Sequence, residues 1–339
     1  MKRKRIQDSG NQGPTKKIRS ATPLSSWLGD ATSSYLTTSS EDTLTSSQQD
    51  NTTSSDLCSL CKTKLLRNPH REVRFTTLYS VGRMLGQGGY GCVYGGTRRK
   101  DGKEVAIKII PRRESEPTLT MIGTMCRHTR EVVLMHLVSE SPVCENVVEL
   151  LDWYELPHMV ILVLERPTPC MDLFYYLMAM GGKLDQAVAR VVMQQVVVAA
   201  LHCDNRFVFH RDIKLENLLV NTDTLDVKLI DFGCGDLLRE EPYQEFAGTA
   251  KYAPPEWFLE GEYQGDKATV WSLGVLLFAM VNGRMPFRGA FQIVNGCLRF
   301  RRGISRECKN LVRLCLMKDP CRRLDLDQIL SHSWMSDLP

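Results

Sequence analysis

The sequence contains no run of about 18 uncharged apolar residues, so no membrane-spanning helix is expected. Its start, Met1-Lys-Arg-Lys-Arg5, leads into polar residues and lacks the apolar stretch of a secretory signal. Large apolar residues are scarce between positions 20 and 55, where 19 of 36 residues are Ser or Thr, and no helical or alternating periodicity runs through them. Such a stretch cannot bury enough surface to offset the entropy of ordering, and residues 1–73 are read as a disordered tail. Cysteine is plentiful, at 12 residues, but the thiols are scattered and imply no disulfide framework. Reduced thiols place the chain in cytosol or nucleus. Cys58-Ser-Leu-Cys61 has the spacing of half a zinc site, yet no second Cys or His pair lies nearby, so free thiols are expected there.

The 339 residues are 43% hydrophobic, enough for a sizeable core and room for two units. The net charge is +4, and residues 1–73 hold 11 Lys or Arg against 7 Asp or Glu, so the whole excess lies in the tail. Lys2-Arg-Lys-Arg5 and Lys16-Lys-Ile-Arg19, ten residues apart, have the form of a two-part nuclear-import signal, although a solvated basic terminus gives the same pattern. The basic clusters are short and lack interleaved aromatics, so no nucleic-acid partner is expected.

Four motifs follow in order: Gly86-Gln87-Gly88-Gly89-Tyr90-Gly91-Cys-Val93, Val105-Ala106-Ile-Lys108, His210-Arg-Asp212-Ile-Lys214-Leu-Glu-Asn217 and Asp231-Phe-Gly233. A lone glycine-rich loop is weak, but this order and spacing resemble the signature set of protein kinases. The resemblance implies an α+β fold of two lobes. A small antiparallel sheet with one helix is expected over 74–165, and a mainly helical lobe over 166–336, with ATP between them. Phosphoryl transfer requires a protein mainly to align ATP with an acceptor hydroxyl and to neutralise charge. Leu85 to Val93 reads as strand, turn and strand, with glycines letting the backbone close over phosphates. Lys108 would hold the α- and β-phosphates and needs a positioning carboxylate. Glu131, on a segment with helical apolar spacing, is the candidate, with Glu114 and Glu116 as competitors. Asp212 would accept the proton of the substrate hydroxyl, Lys214 would touch the γ-phosphate, and Asn217 and Asp231 would carry Mg²⁺. Lys214, and Thr249 ahead of Pro254-Pro-Glu256, indicate Ser or Thr acceptors. Arg323 is expected to brace Glu256. Thr269 stands where most kinases have an Asp that anchors the catalytic loop, which leaves that loop's rigidity in question.

Val160 to Glu165 reads as a buried strand entering the linker between lobes, with Leu164 at its last enclosed position, and adenine should dock there. The expected nucleotide site runs over Leu85, Gly86, Gln87, Gly88, Gly89, Tyr90, Gly91, Val93, Ala106, Lys108, Glu131, Leu164, Glu165, Pro167, Asp172 and Leu219. Pro167 sits where most kinases donate a backbone N–H to adenine, and proline has none. One lost hydrogen bond corresponds to roughly 0.5–1.5 kcal/mol of weaker ATP binding. This hinge, with Leu150-Leu-Asp-Trp153, Pro254-Pro-Glu-Trp257 and Val270-Trp-Ser-Leu-Gly274, resembles the Pim family of serine/threonine kinases over residues 78–336. That resemblance implies an ATP- and Mg²⁺-dependent monomer that promotes survival and proliferation. It also implies substrates with basic residues before the acceptor, read by Asp172 and Glu216. Where the family tends to carry further carboxylates, this chain has Leu215, Tyr175, Ala279 and Arg284, with Arg288 in a loop that is usually acidic. The segment from Cys234 to Phe246 has no Ser or Thr, so Arg211 is expected to pair with Glu240, Glu241 or Glu245 in place of an activating phosphate. The competing reading is a binding or scaffold protein on the same fold, and the intact Lys108, Asp212 and Asp231 set favours the enzyme.

Overall fold

The computed structural model describes residues 69–89, 91–113, 117–121 and 126–336. The import-like basic clusters, Cys58, Cys61, the Ser/Thr-rich stretch, Tyr90, Glu114 and Glu116 lie outside the described residues. Helix α1 (Pro69–Leu78) leads directly into β1 (Tyr79–Gly88), followed by β2 (Gly91–Arg98) and β3 (Glu104–Pro111). The lobe boundary expected at residue 74 therefore falls inside a helix. Phe75 is wholly buried, stacks on Tyr79 and meets Tyr154 edge-on, so this helix closes the outer face of the sheet. A short hairpin, β4 (Thr118–Thr120) and β5 (Arg127–Thr129), precedes α2 (Arg130–Ser139). It is an addition to the expected single sheet and helix. Strands β6 (Leu150–Glu155) and β7 (Met159–Glu165) complete a five-stranded antiparallel sheet of order β1-β2-β3-β7-β6. Strand β7 is buried through six of its seven residues, as its unbroken apolar run requires.

The second lobe opens with β8 (Cys170–Asp172), α3 (Leu173–Ala179) and α4 (Gln186–Asn205). Helix α4 is long and apolar enough to cross a membrane by length and composition. Eight of its residues, from Ala189 to Cys203, are buried in the lobe's core, which accounts for that composition. Strands β9 (Val208–Phe209), β10 (Leu218–Asn221), β11 (Val227–Leu229) and β12 (Asp236–Leu237) form two small antiparallel sheets that hold the loops between them. Helices α5 (Pro255–Glu260), α6 (Gly265–Asn282), α7 (Ala290–Asn295), α8 (Arg306–Cys315), α9 (Leu326–Ser331) and α10 (Ser333–Ser336) complete the chain. Helix α6 is apolar on nearly every face because it is the central helix, with 14 of its 18 residues buried.

Candidate active site

Strand pairing sets the roof of the cleft. Gly86 lies opposite Val93, Val93 opposite Lys108, and Ala106 opposite Leu164. A Cβ at Gly86, Gly88 or Gly89 would meet nothing, so these residues leave open space over the cleft. At Gly91, with φ +141°, a Cβ would lie 2.3 Å from the Ile109 carbonyl, so the close approach of β3 requires glycine there. Leu85 is 42% exposed on the lid. Gln87 sits opposite Cys92 beside it.

Lys108 is buried, and its Nζ lies 2.6 Å from Glu131 Oε1 and 2.7 Å from Asp231 Oδ1. Burial alone would lower its pKa, but the two carboxylates outweigh burial and raise it, so the ammonium is fixed. Burial likewise works against the Asp231 charge, and Lys108 reverses it, holding the carboxyl below its usual range. Glu131 thus supplies the carboxylate that sequence left open between three candidates. Its helix starts without a side-chain cap of its own. Glu155, on β6, anchors that start instead. Its Oε1 accepts from the Thr129 N–H at 2.8 Å and from the Thr129 hydroxyl at 3.2 Å, while Oε2 lies 3.2 Å from His128 Nδ1. Glu155→Ala is expected to lower kcat/KM about tenfold, the scale of a charged hydrogen bond, with Glu155→Gln recovering most of it. Wild-type rates in the alanine variant would show that Glu131 needs no such tether.

Beneath the roof, the loop from His210 to Asn217 converges on one carboxylate. Asp212 Oδ2 accepts from Lys214 Nζ at 2.6 Å and Asn217 Nδ2 at 3.0 Å, and Oδ1 accepts from the Thr249 N–H at 2.9 Å. Lys214 also donates to Thr249 Oγ1 at 2.8 Å. Burial lowers its pKa, but Asp212, with Glu216 adding to it, carries the net shift upward. Gly248, at φ +114°, lies so close to the Arg211 carbonyl that a Cβ would come within 2.4 Å. His210 is neutral: Nδ1 accepts from the Asp212 N–H at 3.3 Å, which leaves Nε2–H to donate to the Ile230 carbonyl at 3.0 Å. Burial lowers its pKa, so folding favours the unprotonated ring. The unfolded chain binds a proton below about pH 6.5 that the folded chain resists, so stability contributed by His210 is present above that pH and lost as pH falls. Melting temperatures should drop between about pH 7.5 and pH 5.5, and His210→Gln should flatten that drop. An identical drop in the variant would assign it to other groups.

Asn217 spends its amide N–H on the Asp212 carbonyl and carboxylate, leaving Oδ1 for a ligand. Its own carbonyl accepts from the Ile230 N–H at 2.9 Å, which brings it beside Asp231. An amide oxygen and a carboxylate are hard donors suited to Mg²⁺, which takes one or two protein oxygens and completes its shell with phosphate and water. Among the described residues no group of three or more His, Cys, Asp or Glu is placed to hold a metal ion. At the hinge, Glu165 is held by Lys228 at 2.8 Å and by the Glu149 N–H at 2.9 Å. The Pro167 carbonyl accepts from Cys170 Sγ. Asp172 caps α3 through the Tyr175 N–H, and burial raises its pKa. It pairs across the sheet with Leu219, which places both below the hinge.

Arg211 has other partners than those expected. Its guanidinium meets the Asp236 carboxylate at 3.4 Å, the Tyr263 hydroxyl at 3.1 Å and the backbone carbonyl, not the carboxylate, of Glu245. It also lies over the Tyr243 ring. Neither Glu240 nor Glu241 takes part in an ion pair among the described residues. Thr269 bonds to the Gly265 carbonyl of its own helix at 2.8 Å and does not stand in for the missing Asp.

A model of the protein kinase domain matches residues 79–335. The chain is 39% identical over 283 residues to the serine/threonine-protein kinase pim-2 of Danio rerio, covering 82% of this chain and 91% of that one. It is 39% identical over 266 residues to the serine/threonine-protein kinase prk-2 of Caenorhabditis elegans, covering 77% of this chain and 59% of that one. Identity to the serine/threonine-protein kinase SIK1 of Mus musculus is 34% over 268 residues, 77% of this chain and 33% of that one. Domain match and cleft geometry agree, and the chain belongs to the protein kinase family as a Pim-like serine/threonine kinase.

Proposed function

We propose that this kinase transfers the γ-phosphate of MgATP to Ser and Thr hydroxyls of protein substrates without prior phosphorylation of its activation segment. The observation that carries this reading is the set of protein partners around Arg211. In a kinase switched by phosphate, the corresponding arginine waits for an incoming anion. Here Asp236, Tyr263 and the Glu245 carbonyl already engage Arg211. Arg239 and Arg211 both lie over Tyr243, which ties the segment to the lobe.

In this reading Asp212 orients the acceptor hydroxyl and takes its proton. Lys108, set by Glu131, holds the α- and β-phosphates, and Lys214 reaches the γ-phosphate. Asn217 Oδ1 and Asp231 would hold Mg²⁺, which supplies neutralisation of the triphosphate's charge when bound. Ala106 and Leu164, cross-strand neighbours on the roof, and Leu219 on the floor would enclose the adenine ring. Asp172 and Glu216 support a preference for basic residues before the acceptor: Glu216 is exposed and Asp172 half-buried.

Protein treated with phosphatase until mass spectrometry finds no phosphate on the segment from 231 to 256 should keep its rate on a Ser peptide within about twofold. The Arg211 contacts amount to hydrogen bonds to a charged group, and replacing them with a required phosphate would change the rate far more. A tenfold loss on dephosphorylation would sink the reading.

A further inference from the structure

Residues 267–306 contain no Asp or Glu and seven Lys or Arg, although the chain as a whole is nearly balanced. Lys267 is neutralised by Asp325. The arginines from Arg284 onward have no carboxylate partner among the described ion pairs until Arg323. Two of them are instead fixed by backbone oxygens, which orient a guanidinium without cancelling its charge. Arg284 Nη2 donates to the Arg299 carbonyl at 2.7 Å, and Arg301 Nε donates to the Val281 carbonyl at 2.6 Å. The Arg301 N–H also bonds to Asn282 Oδ1 at 3.0 Å. These bonds stitch the loop after α6 to the segment before α8, so Arg284, Arg299, Arg301 and Arg302 share one surface.

An aromatic base supports it. Phe278 and Phe300 pack with ring centroids 5.4 Å apart, Arg284 lies 5.9 Å from the first and Arg313 5.1 Å from the second. The carboxylates that flank the stretch in sequence, Asp266 in the first turn of α6 and the exposed Glu307 in the first turn of α8, form no ion pair with these arginines among the described residues. Gly283 packs against the Gly182 carbonyl, which ties the start of this surface to the loop between α3 and α4. Like charges gathered on one surface repel each other, and a multivalent anion relieves that repulsion, with little entropic loss at Arg284 and Arg301, whose side chains are already fixed.

We infer that this surface docks an acidic segment of the protein substrate, a run of Asp or Glu lying apart from the acceptor residue. The enzyme's substrates are proteins, so the polyanion it meets at each turnover is a polypeptide. The inference rests on the kinase reading, since an acidic segment gains meaning here by delivering an acceptor to Asp212.

The test uses the full chain and two Ser peptides identical except for a distal run of Glu or of Gln. Wild type should show a KM about tenfold lower for the Glu peptide at low salt, as a few screened surface pairs together would give, with equal kcat. In the variant Arg299→Ser/Arg302→Ser/Arg313→Ser, all exposed positions, the difference should fall below about twofold while the Gln peptide reacts as before. Fluorescence anisotropy of a labelled poly-glutamate peptide should show the same loss of binding without reference to turnover. Equal KM values in wild type, or an unchanged difference in the variant, overturn the inference. Displacement of the labelled peptide by single-stranded RNA at lower concentration also overturns it and makes the surface a nucleic-acid face. Failure of the Gln peptide to react at all would strike the kinase reading instead, and anisotropy would still decide the docking surface.

Discussion

Asp212→Asn is expected to lower kcat about 10²–10⁴-fold, the range contributed by a positioned general base, while nucleotide affinity stays within about threefold. The Asp212 carboxylate is buried and already accepts three hydrogen bonds, from Lys214, Asn217 and Thr249. Two carboxylate oxygens offer about four lone-pair directions, so roughly one remains for an acceptor hydroxyl. An asparagine of the same shape retains one acceptor oxygen and turns an NH₂ toward donors, so it neither takes the proton nor holds Lys214 as firmly. Nucleotide binding should survive because the ion pairs among Lys108, Glu131 and Asp231 do not pass through Asp212. Calorimetry of ADP with Mg²⁺ against steady-state transfer separates the two effects. Comparable kcat in the variant would remove Asp212 from the chemistry and favour a protein that binds nucleotide for another purpose.

The residues proposed to act on phosphate were legible because they come as short motifs in fixed order, each with a residue type its chemistry demands. Lys108 in an apolar strand makes physical sense only with a partner, and that predicts a nearby carboxylate. Choosing Glu131 needed the helix it sits on, which apolar spacing indicated. What escaped depends on contacts that no local pattern encodes. Glu155 reaches the start of α2 across 26 residues of sequence, from a strand whose own pattern is ordinary. The partners of Arg211 include a backbone carbonyl and a tyrosine hydroxyl 52 residues away, and a carbonyl leaves no mark in the identity of its residue. Helix α1 straddles the expected boundary at residue 74, and what ties it to the sheet is the burial of Phe75 against Tyr79 and Tyr154, a contact across the sheet that the local pattern does not encode. Gly91 reads in sequence as a phosphate-loop residue, whereas the β3 backbone beside it explains the requirement for glycine. The distinction lies in tertiary distance, which spacing along the chain cannot supply.

Arg323→Met should destabilise the protein by about 3–5 kcal/mol, the range for stripping one partner from a buried ion pair. Arg323 and Glu256 form a two-pronged pair with both N–O distances at 2.8 Å, and their side chains are 0% and 4% exposed. The guanidinium also donates to the Lys267 and Met317 carbonyls and lies over the Trp271 ring, so its charge is fully engaged. Methionine fills much of the same volume and leaves the Glu256 carboxylate in a dry site with its main donors gone. For a domain of this size each kcal/mol moves the midpoint roughly 2–4 °C, so the loss should read as a fall of about 6–20 °C. Glu256→Leu/Arg323→Met removes both charges and should recover much of it, because the penalty comes from the orphaned carboxylate more than from the lost attraction. The pair ties α5, at the end of the activation segment, to the loop before α9, so the single variant should also lose kcat at temperatures where it remains folded. A midpoint within about 2 °C of wild type for Arg323→Met would mean that water reaches Glu256, and the pair would then be a surface bridge worth little.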